Sequence, residues 1–338
     1  MKRFEHFNAG TVHEAVQILQ RYQGSALINA GGTSLLTILK DDILHRYPKA
    51  VINIKTIPGL RDITEIDGRL NIGALATLND IISNGLIMER YPLLATAARI
   101  SGPPQYRYMS TVGGNLCQPV RCWYYRASKW TGRSFFCLRK GGDSCYALYG
   151  DNRYHSVFGA PRGCYAVYPS DMGIALTALD AVAVTSKRKI VFSALFDAIK
   201  GTVLDYDEIL LGVEVPAPLI GSRSAFLSYR PRKSINSAII SCAVSINTTD
   251  DLVDKAAVIL GAVAPVPHRA TSAEKYVYQK RINEEVAFKA GMESVKQAQP
   301  LSMNSYKVKI AESLVARALL ACHSVDSNTG LAEMRCVL

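Results

Sequence analysis

The sequence has no long apolar run. None of its stretches approaches the about eighteen consecutive apolar residues that a bilayer span requires. The first residues, MKRFEHFNAGTVHEA, have no apolar signal core, so nothing there marks the chain for export by itself. A cytoplasmic location is expected, with co-export on a signal-bearing partner as the alternative. Zinc-finger and helix-turn-helix patterns are also missing. Although the 338 residues carry a formal charge of +11, a nucleic-acid partner is not expected. The six histidines are scattered and form no Ser–His–Asp set. There is no internal repeat and no low-complexity linker. What remains is an ordinary globular composition, long enough for two or three domains.

The pattern of elements predicts α+β organisation. Thr11–Val–His–Glu14 reads as a capping box opening a helix through Ala15, Ile18 and Leu19. SALINAGG then reads as a strand running into glycine, Leu35 to Leu44 as a second helical stretch, and AVINIKT as another strand. Residues 1–55 form one subdomain on this reading. A second α/β block, 56–218, starts with RLNIGALATLNDII, with a helix from about Thr77. YPLLATAARI is helical and ends at Pro103 and Pro104. DMGIALTALDAVAVTS reads as helix then strand, and DEILLGVEVPAP as an edge strand closing the block. The last part, 219–330, reads as a separate α+β domain. In it INSAIISCAVSI is expected as a helix, AAVILGAVAPVPHRA as a strand, and EEVAFKAGMESV and AESLVARALLAC as helices.

Eight cysteines are present, and five of them, at 117, 122, 137, 145 and 164, lie within 48 residues. Cys242 and Cys322 sit in apolar runs and read as core. Cys336 carries no reading. Structural disulfides are disfavoured without a signal peptide. The interval from Cys117 to Cys164 holds eight Arg or Lys against two Asp. Thiolates ionise more easily in such surroundings and are soft metal ligands. Cys122, Cys137, Cys145 and Cys164 are separated by 14, 7 and 18 residues, which fits neither a zinc ribbon nor the compact ferredoxin run. Spacing therefore leaves metal binding and plain packing both open. His155, beside this loop, reads as an ordinary hydrogen-bonding histidine, and Asp207 and Glu208 as a solvated edge.

Two glycine motifs stand out. NAGGTSLL, 29–36, lies between a strand and a helix and offers backbone amides with the hydroxyls of Thr33 and Ser34. STVGGNL, 110–116, repeats the arrangement just before Cys117. Neither has GxGxxG spacing or a Walker lysine. Each alone is equally a tight turn. Together they suggest one elongated ligand with two phosphates.

NAGGTSLL, IGALATLND at 72–80, STVGGNL, YPSDM at 168–172 and GAVAPVPHRATSAE at 261–274 resemble, in that order, the FAD-binding medium subunit of the xanthine dehydrogenase family of molybdenum hydroxylases. The resemblance spans nearly the whole chain. It implies a two-part FAD-binding domain of the vanillyl-alcohol-oxidase/PCMH type, residues 1–218, followed by a smaller α+β C-terminal domain, 219–330. It also implies that Asn29, Ala30, Gly31, Gly32, Thr33, Ser34 and Leu35 wrap the FAD pyrophosphate. Ser110, Thr111, Gly114 and Asn115 should complete that cradle. Asp171 should serve the adenosine side, and Arg230 should be a cation near the flavin, where lysine is common in the family.

The segment from about 117 to 165 further resembles an insertion found in a subgroup that includes 4-hydroxybenzoyl-CoA reductase and a bacterial periplasmic aldehyde oxidoreductase. That likeness implies a [4Fe–4S] cluster on Cys122, Cys137, Cys145 and Cys164, with Cys117 as a doubtful fifth. The implied activity is an oxidoreductase's electron-transfer subunit. Its partners would be a large molybdenum-cofactor subunit, a small [2Fe–2S] subunit and an external donor or acceptor such as ferredoxin or NAD(P). Substrate chemistry would then lie on the partner. The alternatives are a zinc-stabilised non-redox binding protein and a self-sufficient flavin oxidoreductase.

Overall fold

The computed structural model describes residues 1–132, 135–232 and 237–323. Cys336 lies outside them. A parallel three-stranded sheet opens the chain: β1 (Glu5–Asn8), α1 (Val12–Tyr22), β2 (Ala26–Asn29), α2 (Leu35–Lys40) and β3 (Ala50–Asn53), in the order β1-β3-β2. β2 and β3 are short, mainly apolar runs, as the covered strands of a parallel sheet require, while β1 is a polar edge strand that packs only Phe7 against the core. Asn8, Asn29 and Asn53 stand in register at the carboxyl ends of the three strands. Ligands of open α/β sheets collect outside this edge, and the loop 30–34 leaves from it. Thr11 accepts from the Glu14 amide at 3.1 Å, but the Glu14 carboxylate accepts from Gly10 rather than Thr11, so only half of the expected capping box forms.

The second block holds β4 (Ile63–Ile66), β5 (Arg69–Gly73), α3 (Leu78–Ser83), α4 (Gly85–Arg90), α5 (Pro92–Ile100), α6 (Pro104–Arg107) and α7 (Val112–Leu116). After α8 (Trp123–Arg126) and a largely irregular segment come α9 (Asp171–Ala178), β6 (Val182–Thr185), β7 (Lys189–Val191), the small pair β8 (Phe196–Asp197) and β9 (Gly201–Thr202), and β10 (Leu210–Val215). Thr77 and Asp80 form the complete reciprocal box that the sequence reading placed only at residue 11. The main sheet runs β4-β5-β10-β6-β7, so β10 is central and not the expected edge strand. Its one charged residue, Glu214, is held by Lys189 at 2.7 Å across the sheet, so a charge in the run did not mean an open edge.

The last block contains β11 (Arg223–Tyr229), β12 (Ile240–Thr249), β13 (Leu252–Gly261), β14 (His268–Arg269), α10 (Thr271–Val277), α11 (Glu284–Ser294) and α12 (Tyr306–His323). The apolar run expected as a helix is strand β12. It lies between two cores: Ala243 packs with α5 and α9, while Cys242, Val244 and Ile246 pack toward α10 and α12. A strand buried on both faces loses its alternation and cannot be told from a helix by period. Asp250 and Asp251 both have positive φ, as the two central residues of a tight hairpin turn require. Cys242 and Cys322 are buried in the second core. Among the described residues no helix is long and apolar enough to cross a membrane.

Candidate cofactor site

The two glycine motifs meet. A side chain on Gly31 would place its Cβ 1.9 Å from the Met109 carbonyl oxygen, so only glycine allows the loop after β2 to lie on the strand-like approach to α7. Gly32 follows with φ +73°, the left-handed conformation that turns the loop into α2. Thr33 and Ser110 hydroxyls are 3.1 Å apart across this junction. The second motif is fixed from beneath by backbone bonds: Leu78 N–H to Ser110 O at 2.9 Å, and Val112 N–H to Ala76 O and Gly113 N–H to Ala74 O, both at 2.8 Å. Thr111 caps α7 by accepting from the Gly114 amide at 3.1 Å.

Two cavities of about 380 and 400 Å³ border this junction. Thr33, Ser34, Gly114 and Gln118 line both and form a saddle between them. The first cavity is apolar, walled by Leu27, Ile28, Ile38, Ile54, Leu204 and Leu210 together with Ala30, Gly31, Gly32, Leu35 and Thr111. The second is polar and takes Ser110, Asn115, Asp171 and Arg230. Asn29 lines neither. It lies behind the loop, its backbone carbonyl accepting from Ile54 at 3.2 Å, and its buried side-chain oxygen has no partner among the described residues. Two chambers joined by a polar saddle match the shape of a dinucleotide with two ring systems and a central diphosphate, so the residues present fit FAD.

Asp171 and Arg230 were expected at opposite ends of that ligand. They are instead ion-paired with each other in the polar chamber, with side chains 10% and 7% exposed. Ser170 caps α9 through the Gly173 amide and donates to the Asn115 side chain, so α9 and α7 hold each other at the chamber wall. The sequence reading missed Arg121 and Arg126, which line the same chamber. Arg126 donates from Nε to Val120 O at 2.8 Å and from Nη2 to Ser34 Oγ at 3.2 Å. Burial lowers its guanidinium to about 10, with Arg121 adding to the effect. Arg121 and Cys117 have accessible surface, but that surface faces the chambers. Lost hydration there lowers the Arg121 guanidinium and pushes the Cys117 thiol up to about 12. The only sequence signal for the two arginines was the basic character of their segment. Asp207 and Glu208 are not a solvated edge. Glu208 is buried, bound to Thr185 at 2.6 Å and Arg188 at 3.0 Å, and lines the apolar chamber, while Asp207 is held by Lys187 and Gln20.

The expected [4Fe–4S] centre is not supported. Cys122, Cys137, Cys145 and Cys164 do line one cavity, of about 10 Å³. Among the described residues, however, no group of three or more His, Cys, Asp or Glu side chains is arranged to hold a metal ion. The sulfurs have other neighbours: Cys164 Sγ accepts from Arg139 Nε at 3.2 Å, and Cys122 Sγ is 3.2 Å from His155 Nε2. Burial pushes the Cys122 thiol up to about 12 and that of Cys137 up as well. The iron–sulfur assignment, the subgroup that rested on it and the zinc-site alternative are all withdrawn on this ground. His155 is buried, and its backbone carbonyl accepts from Lys307 at 2.9 Å, tying this segment to α12.

Comparison with known proteins supports the flavoprotein family and its fold. Residues 2–218 match the family model described as the FAD binding domain in molybdopterin dehydrogenase, and residues 225–322 match the CO dehydrogenase flavoprotein C-terminal domain. The aldehyde oxidoreductase FAD-binding subunit PaoB of Escherichia coli (strain K12) is 31% identical over 94% of this chain and 98% of its own length. The carbon monoxide dehydrogenase medium chain of Hydrogenophaga pseudoflava is 27% identical over 94% and 96%. A solved structure of carbon monoxide dehydrogenase from the same organism superposes with a TM-score of 0.75 at 25% identity, covering 95% of this chain and 98% of that one. Quinoline 2-oxidoreductase from Pseudomonas putida 86, at 20% identity and a TM-score of 0.74, shares the fold. A bipartite α+β FAD-binding part of the vanillyl-alcohol-oxidase/PCMH type with a smaller α+β C-terminal domain is thus what this sequence encodes, and the chain belongs to the family of FAD-binding subunits of molybdopterin-dehydrogenase-type oxidoreductases.

Proposed function

We propose that this chain is the FAD-binding electron-transfer subunit of a molybdenum-hydroxylase-type complex, with the dinucleotide laid across both chambers. The observation that carries this reading is the pair of cavities sharing Thr33, Ser34, Gly114 and Gln118. The diphosphate crosses that saddle, cradled by residues 30–34 with Ser110, Thr111, Gly114 and Asn115. The apolar chamber takes the adenosine end. The polar chamber takes the isoalloxazine, whose carbonyl and nitrogen edge needs donors. Arg230, oriented by Asp171, is the donor fixed there. Asp171 therefore acts through Arg230 at the flavin end and not on the ribose. FAD supplies exchange of electrons between a pair-transferring reactant and single-electron carriers. The protein binds it, orients its ring and keeps water from its inner face.

The named relatives are subunits or medium chains, which supports a large molybdenum-cofactor partner and a small [2Fe–2S] partner for this chain as well. Exposed Tyr106, Tyr108 and Met109 stand beside the polar chamber and offer an apolar contact for the next carrier. An external donor or acceptor such as ferredoxin or NAD(P) completes the relay.

The test is purification of the chain together with the products of its neighbouring genes. One FAD per chain and an iron–sulfur and molybdenum partner in the same particle are expected. Protein that takes up no FAD overturns the reading. Turnover of an organic substrate by the flavin-loaded chain alone overturns the subunit role and favours a self-contained flavin oxidoreductase.

A further inference from the structure

The polar chamber holds more positive charge than its own carboxylates offset. Asp171 answers Arg230. Among the described residues, neither Arg121 nor Arg126 has a carboxylate within ion-pair distance. Arg126 is anchored on neutral oxygens, Val120 O, Pro119 O and Ser34 Oγ, through Nε and Nη2 only. Arg121 uses Nη2 on Gln118 Oε1 at 3.0 Å. Ser34 and Gln118 are two of the four saddle residues. Both guanidiniums are therefore pinned to the junction of the chambers, close enough to repel each other, with N–H donors left over. Crowded charges of one sign repel unless an anion joins them.

We propose that Arg121 and Arg126 form a two-guanidinium clamp on the diphosphate of the bound dinucleotide. The inference rests on the FAD reading above and adds a role for the cysteine-bearing segment: it delivers the charge that the glycine loops lack. The glycine loops contribute amides and hydroxyls, which are neutral donors. A diphosphate brings two negative charges, and planar guanidinium forks match its oxygens. Neither ring system of the ligand offers a comparable anion. The clamp also gives the site a reason to prefer a phosphate-bearing flavin over the bare ring compound.

The full-length apoprotein is titrated with FAD and with riboflavin by flavin fluorescence, and with inorganic pyrophosphate by calorimetry. R121Q and R126Q should each weaken FAD by about 10- to 100-fold, the range expected for a charge-assisted hydrogen-bonding group. Pyrophosphate heat should vanish, and riboflavin affinity should stay within about threefold. R126K should recover part of the FAD loss. Variants that bind FAD as wild type does, or that lose riboflavin as severely as FAD, overturn the clamp. Wild-type protein that binds pyrophosphate but not FAD supports the anion site and sinks the FAD reading instead. If R126Q does not fold, the wild type decides. Added salt should weaken FAD several-fold and leave riboflavin unchanged, and equal salt effects on both overturn the proposal.

Discussion

The glycine loops and the cysteine-bearing segment are neighbours in sequence, yet the two loops come together, whereas among the described residues the four cysteines form no group arranged to hold a metal ion. The difference lies in what holds them. Residues 110–114 are locked to 74–78 by backbone bonds and an isolated bridge between Thr77 and Thr111. The cysteine segment is held mainly by side chains reaching for other segments' carbonyls. Lys129 Nζ donates to Leu44 O at 3.0 Å, Trp130 Nε1 to Lys40 O at 2.9 Å, and Arg139 to Ala198 O and Ile199 O. Its basic residues thus serve partly as structural donors. A motif written in glycine and backbone geometry dictates its own fold. A set of distant side chains converges only if everything between them cooperates.

The strongest way to break this comparison is at the buried ion pair of Asp171 and Arg230 in the polar chamber. D171N removes the carboxylate that pairs with Arg230 while keeping the side chain's shape. Removing one member of a buried ion pair costs about 3–5 kcal/mol, with the lower end expected because the pair borders a cavity and Arg230 keeps its bond to Ser228. Chemical denaturation should show that loss, and FAD should be retained poorly. Stability within about 0.5 kcal/mol of wild type would mean the pair is solvated and Arg230 is not held by it.

Next comes G31A, with an expected loss of about 2–3 kcal/mol. The added Cβ falls against backbone, which cannot rotate away as a side chain would. The loop must lift from residues 109–111, and the saddle opens. Apoprotein that stays folded but no longer binds FAD would sharpen the contrast. Unchanged FAD affinity would show that the two loops need not touch.

The fold was legible where period and turn chemistry were local. The strand–glycine–helix order of residues 26–40 and the Pro-terminated helix before residue 104 were both visible as patterns. β12 was not, because its two faces enter different cores and the run Ile240–Val244 is buried throughout, Ser241 included. β10 was not, because a cross-strand lysine offsets Glu214. At the site, the glycine loops were visible, but the pairing of Asp171 with Arg230 joins residues 59 apart in sequence. No local signal carries such a pairing. Arg121 and Arg126 were hidden by their own neighbours, being two of several basic residues in a segment read for its cysteines.

On the other side of the comparison, His155 reports whether the cysteine segment is docked on α12. Burial, helped by Lys307, lowers its pKa from 6.5 to about 4. The folded form therefore keeps it neutral. The stability this represents is fully present above about pH 6.5 and is lost as pH falls toward 4, because the unfolded chain takes up the proton first. Wild-type unfolding free energy should fall by up to about 1.4 kcal/mol per pH unit in that window from this group. H155N should flatten the slope by about one proton. An unchanged slope would show that the histidine is solvated and the segment undocked.

The smallest effect is expected where the two regions join. Cys117 ends the α7 turn, begins the cysteine segment and faces the apolar chamber. Its thiol, pushed up to about 12 by burial, is neutral at any working pH and makes no charged contact. C117A removes one sulfur from a wall that Leu, Ile and Pro side chains already form. Melting temperature should stay within about 2 °C and FAD affinity within about threefold, because losing one small apolar contact costs well under 1 kcal/mol beside a ligand that can settle against the wall. Alkylation mapped by mass spectrometry should find Cys117 slow to react in the apoprotein and protected once FAD is bound, since the reagent needs a thiolate with open access. A Cys117 that reacts equally fast with and without FAD would place the adenosine end outside the apolar chamber, while the saddle and the polar chamber would still stand on the other variants.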